Sequence, residues 1–408
     1  MRECSLFLFL LCPTSYVLSM DLKHKEIQDF INRQLYSTAA DLMLQASKYP
    51  EWDMKAIAQQ LVGKQIAKKK LPVWFKNDDI LYPVRISMEQ CSSVETAMYK
   101  SFILKSGIGI DLCGGFGVDS YFLAKKSDSL IYCERNEDLA SLVAHNFKVL
   151  NQNNCEVYVG DGVDYLKNLE KIDWIFVDPA RRKESQRVFR LEDCEPNVID
   201  LKDLFFEKSE RVLIKTAPLL DIRQTLSDLE AVKEVHVIAV NNDCKEVLYL
   251  LEKDFIGETQ IFCVNLKKVH KEEFRFTLSE EREAISPYSE PLEYIYEANA
   301  AIMKAGAFKS IASNYELYKL HKHSHLYTSQ KLISEFPGRS FKVKEVLNPD
   351  KRSLAKHISG KANLACRNFP QKVDVLKKKL KLKDGGDDYV FATTLSDDKP
   401  KLLLCSKL

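Results

Sequence analysis

The chain has 408 residues, of which 45% are hydrophobic and 29% are charged, an ordinary globular composition with room for two or three domains of about 150 residues. Its 14 glycines and 13 prolines exclude a collagen-like or low-complexity chain. The 60 basic residues nearly balance the 58 acidic ones. Taken alone, the formal charge of +2 argues against a strongly basic nucleic-acid-binding protein.

The amino terminus carries an apolar run, CSLFLFLLCPTSYVL, at residues 4–18. The run has the length of a signal-peptide core and is too short to span a bilayer, which takes about 20 apolar residues. It is either a secretion signal or an extension from an upstream start codon, with the protein then beginning at Met20. We favour the second interpretation for residues 1–19, because eleven cysteines without C-x-x-C spacing fit reduced thiols in the cytoplasm.

Residues 20–89 are predicted to form a helical amino-terminal domain. Apolar residues recur at helical spacing over residues 27–35 and 57–66. Pro50 and Pro72 divide this region into shorter helices.

From about residue 108 the pattern changes to short apolar runs that alternate with helical stretches. Seven of these runs are predicted as strands: 108–112, 130–133, 157–159, 174–177, 212–214, 235–240 and 261–266. Alternation at this spacing predicts an α/β fold with a doubly wound, mostly parallel sheet. A further run at 246–251 lies close to the run at 261–266, and the two are candidates for an antiparallel pair at the sheet edge.

The first predicted strand leads into a glycine-rich turn, Asp111-Leu-Cys-Gly-Gly-Phe-Gly117. Glycines at 114, 115 and 117 allow the backbone to turn tightly and to approach a ligand closely. The helix expected after this turn directs its amide end at that ligand. In isolation, the turn is about equally consistent with a purely structural role.

Carboxylates follow the next predicted strands. Glu134 ends the second strand, 19 residues after Gly115, where it can accept hydrogen bonds from both hydroxyls of a ribose. Asp161 follows the third strand, where it can bond an adenine amine, and Asp178 ends the fourth. Each of them alone is consistent with a solvated strand end or a helix cap. With Asp111 they place four acids at successive strand ends, which predicts a nucleotide site.

The residues around the turn distinguish between nucleotides. An NAD site requires G-x-G-x-x-G, but Ser120 stands at the third glycine of that register. The chain has no G-x-x-x-x-G-K-[ST] run, which excludes a P-loop. Asp111, immediately before the turn, can engage an ammonium group or brace the loop. S-adenosylmethionine carries an ammonium group that NAD lacks, so the sequence favours S-adenosylmethionine as the cofactor.

These residues resemble those of the class I S-adenosylmethionine-dependent methyltransferases. The turn is similar to their first motif, with Cys113 where the first glycine often stands. The resemblance implies that Glu134 holds the ribose, that Asp161 holds the adenine, and that residues 90–267 form a Rossmann-like seven-stranded methyltransferase core. It also implies a set of residues for the methionine part of the cofactor: Asp111, Cys113, Gly115 and Gly117.

Three further segments are Met88-Glu-Gln-Cys-Ser-Ser-Val-Glu-Thr-Ala97, Asp178-Pro-Ala-Arg-Arg182, and Arg367-Asn-Phe-Pro370 with Asp384-Gly-Gly-Asp-Asp-Tyr389. Together they resemble a little-characterised bacterial methyltransferase family with a carboxy-terminal THUMP-like domain. The resemblance implies an α+β region with a ferredoxin-like subdomain over residues 268–330 and a THUMP-like domain over residues 331–408. "Ferredoxin-like" names a fold here and implies no iron–sulfur cluster. THUMP domains bind structured RNA, often tRNA.

Asp178, Pro179 and Arg181 are the predicted catalytic residues. Enzymes that methylate exocyclic amines of bases often carry Asp/Asn-Pro-Pro followed by an aromatic residue; here Asp178 and Pro179 match, whereas Ala180 and Arg181 depart. A guanidinium at Arg181 can stack on a base, clamp a phosphate or form a structural ion pair. Methyl transfer depends mainly on in-line positioning, and Asp178 is the candidate acceptor of a proton from the substrate.

Charge is divided unevenly along the chain. Residues 300–383 hold 16 Lys and 3 Arg against 3 Glu and 2 Asp, a net charge of +14. Such one-sided charge is typical of a surface that binds a polyanion, so RNA is the predicted partner and a lysine-rich solvated face is the alternative. His321, His323 and His325 alternate in this region, but no carboxylate or cysteine stands beside them, and no metal site is predicted.

The sequence therefore predicts a cytoplasmic S-adenosylmethionine-dependent methyltransferase (EC 2.1.1.-) that modifies tRNA or rRNA held by residues 300–383. No membrane partner is predicted. Two alternatives stay open. One is methyl transfer to a small molecule or a protein, and the other is a non-catalytic RNA-binding factor that retains the cofactor pocket.

Overall fold

A computed structural model describes residue 22, residues 24–181 and residues 190–408 of the protein. The amino-terminal run at residues 1–19, Met20 and Arg182 lie outside these residues. The chain divides into two compact units, Met1–Ile214 and Lys215–Leu408. None of the helices in the described part of the chain is both long and apolar enough to cross a membrane.

The first unit begins with helices, which confirms the helical amino-terminal region. Their bounds are α1 (Lys25–Arg33), α2 (Ala39–Met43), α3 (Met54–Lys70), α4 (Pro72–Phe75), α5 (Arg85–Gln90) and α6 (Val94–Ile103). Local sequence explains where several of them start. Thr38 and Asp41 form a capping box at α2, the Asp53 side chain accepts two backbone N–H groups at the start of α3, and Pro72 occupies the first turn of α4.

An alternating strand and helix pattern follows in the first unit. Its elements are β1 (Ile108–Asp111), α7 (Val118–Ala124), β2 (Ser129–Glu134), α8 (Glu137–Val149), β3 (Cys155–Val159), α9 (Gly162–Asn168), β4 (Trp174–Val177), β5 (Ala180–Arg181), β6 (Cys194–Glu195), α10 (Lys202–Lys208) and β7 (Arg211–Thr216). The strands run parallel in the order β3-β2-β1-β4-β7, whereas β5 and β6 form a separate antiparallel pair. The predicted doubly wound architecture is confirmed.

The extended segment between α4 and α5 is fixed by two buried amide side chains. Asn146 of α8 accepts a hydrogen bond from Leu81 N (2.9 Å) and donates one to Leu81 O (2.8 Å). Gln60 of α3 makes the same pair of bonds with Tyr82, both at 2.8 Å. Because all these buried groups are hydrogen-bonded, the bonds compensate for the loss of water, and the segment links the amino-terminal helices to α8.

The second unit opens with α11 and four strands. Their bounds are α11 (Ile222–Leu229), β8 (Val232–Val240), β9 (Asp243–Glu252), β10 (Gln260–Leu266) and β11 (Lys271–Phe276). The expected antiparallel pairing of the runs at 246–251 and 261–266 is wrong. β9 pairs with β8, and β10 lies parallel to β8 and antiparallel to β11. The reason is the turn at Asn241 and Asn242, whose φ angles of 50° and 67° make a tight hairpin that returns β9 directly beside β8.

The rest of the second unit contains a seven-stranded sheet in the order β13-β14-β12-β15-β18-β17-β16. Its elements are α12 (Leu278–Glu283), β12 (Tyr294–Ala298), α13 (Ala300–Ala305), α14 (Ser310–Asn314), β13 (Tyr318–Lys319), β14 (Leu326–Ser329), β15 (Gly338–Leu347), α15 (Lys351–Ala355), β16 (Asn363–Arg367), α16 (Val373–Leu380), β17 (Asp388–Thr394) and β18 (Pro400–Lys407).

β15 joins the two predicted subdomains of this region, because it pairs antiparallel with β12 on one side and with β18 on the other. A Cβ atom at Gly338 would lie 2.2 Å from the carbonyl oxygen of Glu297, so the close pairing of β15 with β12 requires glycine there. The predicted α+β region is confirmed, and it forms one continuous sheet. The boundaries predicted at residues 267 and 330 stay predictions.

Candidate functional site

The turn after β1 brings backbone close to an open surface. Gly115 and Gly117 adopt φ angles of 55° and 73°, which favour glycine. A Cβ atom on Gly114 would lie 2.0 Å from the ring of Tyr132, whereas a Cβ atom on Gly115 would have no heavy atom nearer than 4.0 Å. Gly115 therefore leaves its outer side open to a ligand.

Asp111 braces this turn from below. Its carboxylate accepts hydrogen bonds from Ser120 Oγ (2.5 Å) and from Cys113 N (3.1 Å), and only 1% of the residue is exposed. Burial raises the pKa of Asp111 to about 7; the two hydrogen bonds oppose this rise, and the negative charges of Asp119 and Asp178 add to it. The sequence allowed Asp111 either to bind an ammonium group or to brace the loop, and these contacts brace the loop.

The cysteines around the turn are protonated thiols. Burial raises the pKa of Cys113, Cys133 and Cys155 well above the ordinary range, and the charge of Asp111 raises each further. None of the nine cysteines among the described residues forms a disulfide bond. A thiolate nucleophile at this turn is therefore disfavoured.

Glu134 lies beside the open side of Gly115. One carboxylate oxygen accepts a hydrogen bond from Gly115 N at 3.0 Å, and the other accepts one from Asn136 N at 2.8 Å. The side chain is half-buried at the end of β2. Each carboxylate oxygen has lone pairs beyond the one engaged here, so the group can still accept hydrogen bonds from a vicinal diol.

Asp161 serves as the amino-terminal cap of α9. One carboxylate oxygen accepts bonds from Val163 N (2.8 Å) and Asp164 N (3.1 Å), and the other pairs with Arg135 Nη2 at 2.5 Å. Partial burial raises the pKa of Asp161, but the hydrogen bonds from Asp164 and Arg135 outweigh it, so the pKa lies below its usual range. The helix-cap alternative for this residue is thus realised, together with an ion pair.

Arg135 is a residue that the sequence reasoning missed. Its guanidinium pairs with Asp161 and, through Nη1, with Glu195 of β6 at 2.6 Å. β6 pairs with β5, which follows directly after Asp178 and Pro179. Arg135 therefore connects the end of β2 with the hairpin beyond β4. Arg135 follows Glu134 immediately in the chain. The reasoning about residues at strand ends that identified Glu134 could therefore have identified Arg135 as well.

The predicted catalytic residues follow β4. Asp178 and Pro179 are both half-buried, and the charge of Asp178 raises the pKa of Asp111 and of Cys113, which lie in and beside the glycine turn. The backbone of Arg181 pairs with Cys194 in the β5–β6 hairpin. The roles predicted for Asp178, Pro179 and the Arg181 side chain stay predictions.

A buried polar triad supports the turn and was also missed. Lys100 of α6, whose side chain is fully buried, lies 3.2 Å from the Asp119 carboxylate at the start of α7. Ser92 donates to the other oxygen of Asp119 at 2.8 Å and accepts a bond from Lys100 at 3.2 Å. Ser92 belongs to the 88–97 run that carries the family resemblance. The triad holds α6 against the helix that begins at the glycine turn.

In the basic carboxy-terminal region, several cations are used inside the sheet. Glu297 of β12 is buried and pairs with two arginines, accepting bonds from Arg339 Nε at 2.8 Å and from Arg367 Nε at 2.7 Å. Lys344 pairs with Asp388 at 2.7 Å. The charge counted along residues 300–383 therefore overstates the positive charge that these residues present to solvent.

His321 connects the histidine run to the Arg367–Pro370 motif. Its Nδ1 accepts hydrogen bonds from Asn368 Nδ2 (2.9 Å) and from His323 N (3.1 Å), so the proton lies on Nε2, which contacts Asp398 at 3.1 Å. Among the residues that the structure describes, no group of three His, Cys, Asp or Glu side chains is placed to hold a metal ion.

Along almost its whole length the chain is similar to a protein from Porphyromonas gingivalis W83 that is provisionally named a methyltransferase. The two are 33% identical, the match covers 95% of this chain and 98% of the other, and the TM-score is 0.86. Residues 294–337 match a family model described as a ferredoxin-like domain, and residues 338–407 match one described as THUMP domain-like. No curated protein matches the sequence.

Two further solved structures are similar over less than half of the chain. One, from Pyrococcus horikoshii, is provisionally named an RNA methyltransferase: identity is 16%, coverage is 46% of this chain and 99% of that one, and the TM-score is 0.34. The other, from Streptococcus mutans, is provisionally named a methyltransferase and was solved in complex with SAH: the corresponding values are 15%, 38%, 96% and 0.30. The full-length identity to the Porphyromonas protein and the two domain matches show that the chain belongs to the class I methyltransferase family whose Rossmann-like core is followed by ferredoxin-like and THUMP-like domains.

Proposed function

We propose that the protein is an S-adenosylmethionine-dependent methyltransferase that modifies RNA. The observation that carries the cofactor assignment is the carboxylate of Glu134, held by the backbone N–H of Gly115 on the open side of the glycine turn. A nucleoside that enters there meets a diol acceptor and an unobstructed backbone together. The open side indicates a turn that binds S-adenosylmethionine, the methyl donor, rather than a turn with a purely structural role, because a structural turn needs no open side.

The residues along this edge fit the parts of the donor. The open side of Gly115 would receive the methionine part, Glu134 would accept hydrogen bonds from the ribose hydroxyls, and Asp161 would accept one from the adenine amine. Asp111 and Cys113 set the shape of the turn through the hydrogen bond between them. When bound, the donor supplies a methyl group attached to a positively charged sulfur.

The acceptor side of the site would be formed by the residues after β4. Asp178 would orient the nucleophile and accept its proton, Pro179 would fix the backbone that follows, and Arg181 would contact a base or a phosphate of the substrate. Because methyl transfer needs mainly in-line approach, positioning by these residues would account for most of the rate enhancement.

Two features support RNA, as tRNA or rRNA, as the substrate. One is the THUMP-like match over residues 338–407. The other is the net charge of +14 that the 16 Lys and 3 Arg give residues 300–383 against 3 Glu and 2 Asp, which favours a polyanion even after internal pairing. Nine cysteines without a disulfide bond in the described ranges are consistent with action in the cytoplasm.

The test is transfer of an isotope-labelled methyl group from the donor to unmodified tRNA and rRNA. Glu134→Ala is expected to abolish transfer, whereas Glu137→Ala, an exposed change in the first turn of α8, is expected to leave it unchanged. Label that enters protein or small molecules but not RNA would overturn the substrate assignment. Failure of the wild-type protein to bind the donor in calorimetry would overturn the enzyme assignment.

A further inference from the structure

The second unit contains a cavity of 420 Å³, and none of the residues of the glycine turn line it. Its walls are the β8–β9 turn, the β10–β11 turn, the start of β15 and the end of β18. Side chains that face it include Asn241, Lys268, His270, Arg339 and Lys407. The volume lies in the range of about 300–1,000 Å³ that is typical of ligand sites.

Cationic side chains outnumber acidic ones in the lining of this cavity. It contains Lys267, Lys268, Arg339 and Lys407 against a single carboxylate, Glu272. Lys267 is neutralised by that carboxylate and Arg339 pairs with Glu297, so Lys268 and Lys407 carry the charge that is left over. The lining therefore carries an excess of positive charge.

Glu272 is fully engaged by its neighbours. Its Oε2 accepts hydrogen bonds from Asn265 Nδ2 at 2.8 Å and from Asn299 Nδ2 at 3.1 Å, and its Oε1 pairs with Lys267. The carboxylate is 10% exposed. It therefore serves to join β10, β11 and the start of α13, and it has little capacity to bind a cation from solvent.

Hydrogen-bond donors remain directed to the cavity. Arg339 uses Nε and Nη2 on Glu297, which leaves the Nη1 donors of a guanidinium that is 35% exposed. Lys268 and Lys407 are exposed, and so is Asn241 in the tight β8–β9 turn. An arrangement of ammonium, guanidinium and amide donors suits a ligand group whose oxygens only accept hydrogen bonds.

We propose that this cavity binds a phosphate group of the RNA backbone. The inference rests on the proposed function, since RNA is the substrate class assigned there. A phosphodiester has negative charge and only acceptor oxygens, which matches the excess cations and the free donors of the lining. The contact lies mostly outside the lysine-rich residues 300–383, because Arg339 and Gly338 are the lining residues within that range.

The test is binding of total tRNA to the full-length protein, measured by filter binding between 50 and 200 mM salt. The variant Lys268→Glu/Lys407→Glu is compared with Lys378→Glu/Lys379→Glu, which makes the same charge change at exposed positions on α16. The cavity variant is expected to bind about tenfold or more weakly and to lower the salt slope by about one, the value for one phosphate contact. The α16 variant is expected to lose less than about threefold. Lys268→Gln/Lys407→Gln should show a smaller loss in the same direction, and equal circular dichroism melting profiles would show that the variants are folded.

Equal losses in the two charge-reversed variants would contradict the cavity and indicate a diffuse lysine-rich face instead. So would unchanged binding in the cavity variant. Calorimetry with AMP tests for a free-nucleotide site. If the cavity variant alone loses AMP binding but still binds tRNA, the cavity is such a site and the inference is overturned. Donor binding, measured on the same proteins, separates the two proposals: wild-type protein that binds tRNA through the cavity but never binds the donor would refute the proposed enzyme and leave the cavity standing.

Discussion

Charge is used in opposite ways at two places in the molecule. One is the edge of the first unit where β1 to β4 end, and the other is the seven-stranded sheet of the second unit. At the edge, Glu134 and Asp161 each accept a hydrogen bond from a backbone N–H group two residues on, at Asn136 and Val163. In the carboxy-terminal sheet, Glu297 is held by Arg339 and Arg367, which are 42 and 70 residues away. Glu134 and Asp161 keep lone pairs that a ligand can use, although Asp161 also pairs with Arg135, whereas the charge of Glu297 is neutralised inside the fold.

The largest effect is expected from Glu297→Ala, which leaves two arginines without their shared partner. The two arginine side chains are 35% and 38% exposed, so water replaces part of the lost pairing. The opening free energy of β12 and β15 should therefore fall by about 3 kcal/mol, the lower combined value of charge-assisted hydrogen bonds to two arginines. Amide hydrogen exchange detected by mass spectrometry measures it. Glu335→Ala, at an exposed position, should change it by less than about 0.5 kcal/mol. A small effect for Glu297 would mean that its charge is not consumed by the fold, and the comparison would fail.

The second prediction concerns Asp111, because ionisation of its carboxyl group is unfavourable in the folded protein. The pKa of Asp111 is raised to about 7 from an ordinary 3.8, so the native state binds more protons than the unfolded state between these values. Stability of the first unit should therefore decrease as pH rises from about 4 to 7 and then level off. Asp111→Asn should remove this dependence. The free energy of unfolding of the variant, relative to that of the wild type, should therefore increase by about 3 kcal/mol between pH 5 and pH 8.

Urea unfolding at those two pH values, followed by the fluorescence of the buried Trp74 and Trp174, checks this prediction. Asp138→Asn, at an exposed position in the first turn of α8, is the control and should follow the wild-type profile. Parallel pH profiles for wild type and Asp111→Asn would show that Asp111 is ionised at no cost in the folded protein.

Glu134→Ala should weaken the binding of S-adenosylmethionine by at least about 100-fold, because a charged acceptor of two hydroxyl groups is lost at about 1.5–3 kcal/mol for each hydrogen bond. Calorimetry with S-adenosylmethionine measures the change. Glu137→Ala should bind the donor like the wild type. An unaltered affinity in Glu134→Ala would remove the strongest reason for regarding this edge as a ligand site.

The smallest effects distinguish two adjacent glycines. Gly114→Ala places a methyl group against Tyr132 and should cost about 1–3 kcal/mol of unfolding free energy. Gly115→Ala meets open space, so only its φ of 55° should be penalised, at about 1–2 kcal/mol, and its main effect should be weaker donor binding. If Gly114→Ala impairs the donor affinity more than Gly115→Ala does, the open side has been placed on the wrong residue.

Features that depend on neighbouring residues could be predicted from the sequence. The seven apolar runs and the glycine turn are local signals, and all of them appear as strands and as a turn in the structure. The pairing of β9 was missed because it depends on the tight Asn241–Asn242 turn. The Lys100–Asp119 ion pair and the two arginines on Glu297 were missed because nothing in one sequence identifies partners that the fold brings together.

The central claim, that the edge uses S-adenosylmethionine to modify RNA, is tested most directly by mass spectrometry of nucleosides from total tRNA and rRNA. The comparison is between cells with the gene, cells without it, and cells that carry only Glu134→Ala. The account predicts that one methylated nucleoside disappears without the gene and is restored by the wild-type protein but not by Glu134→Ala. Identical nucleoside profiles in all three would contradict it.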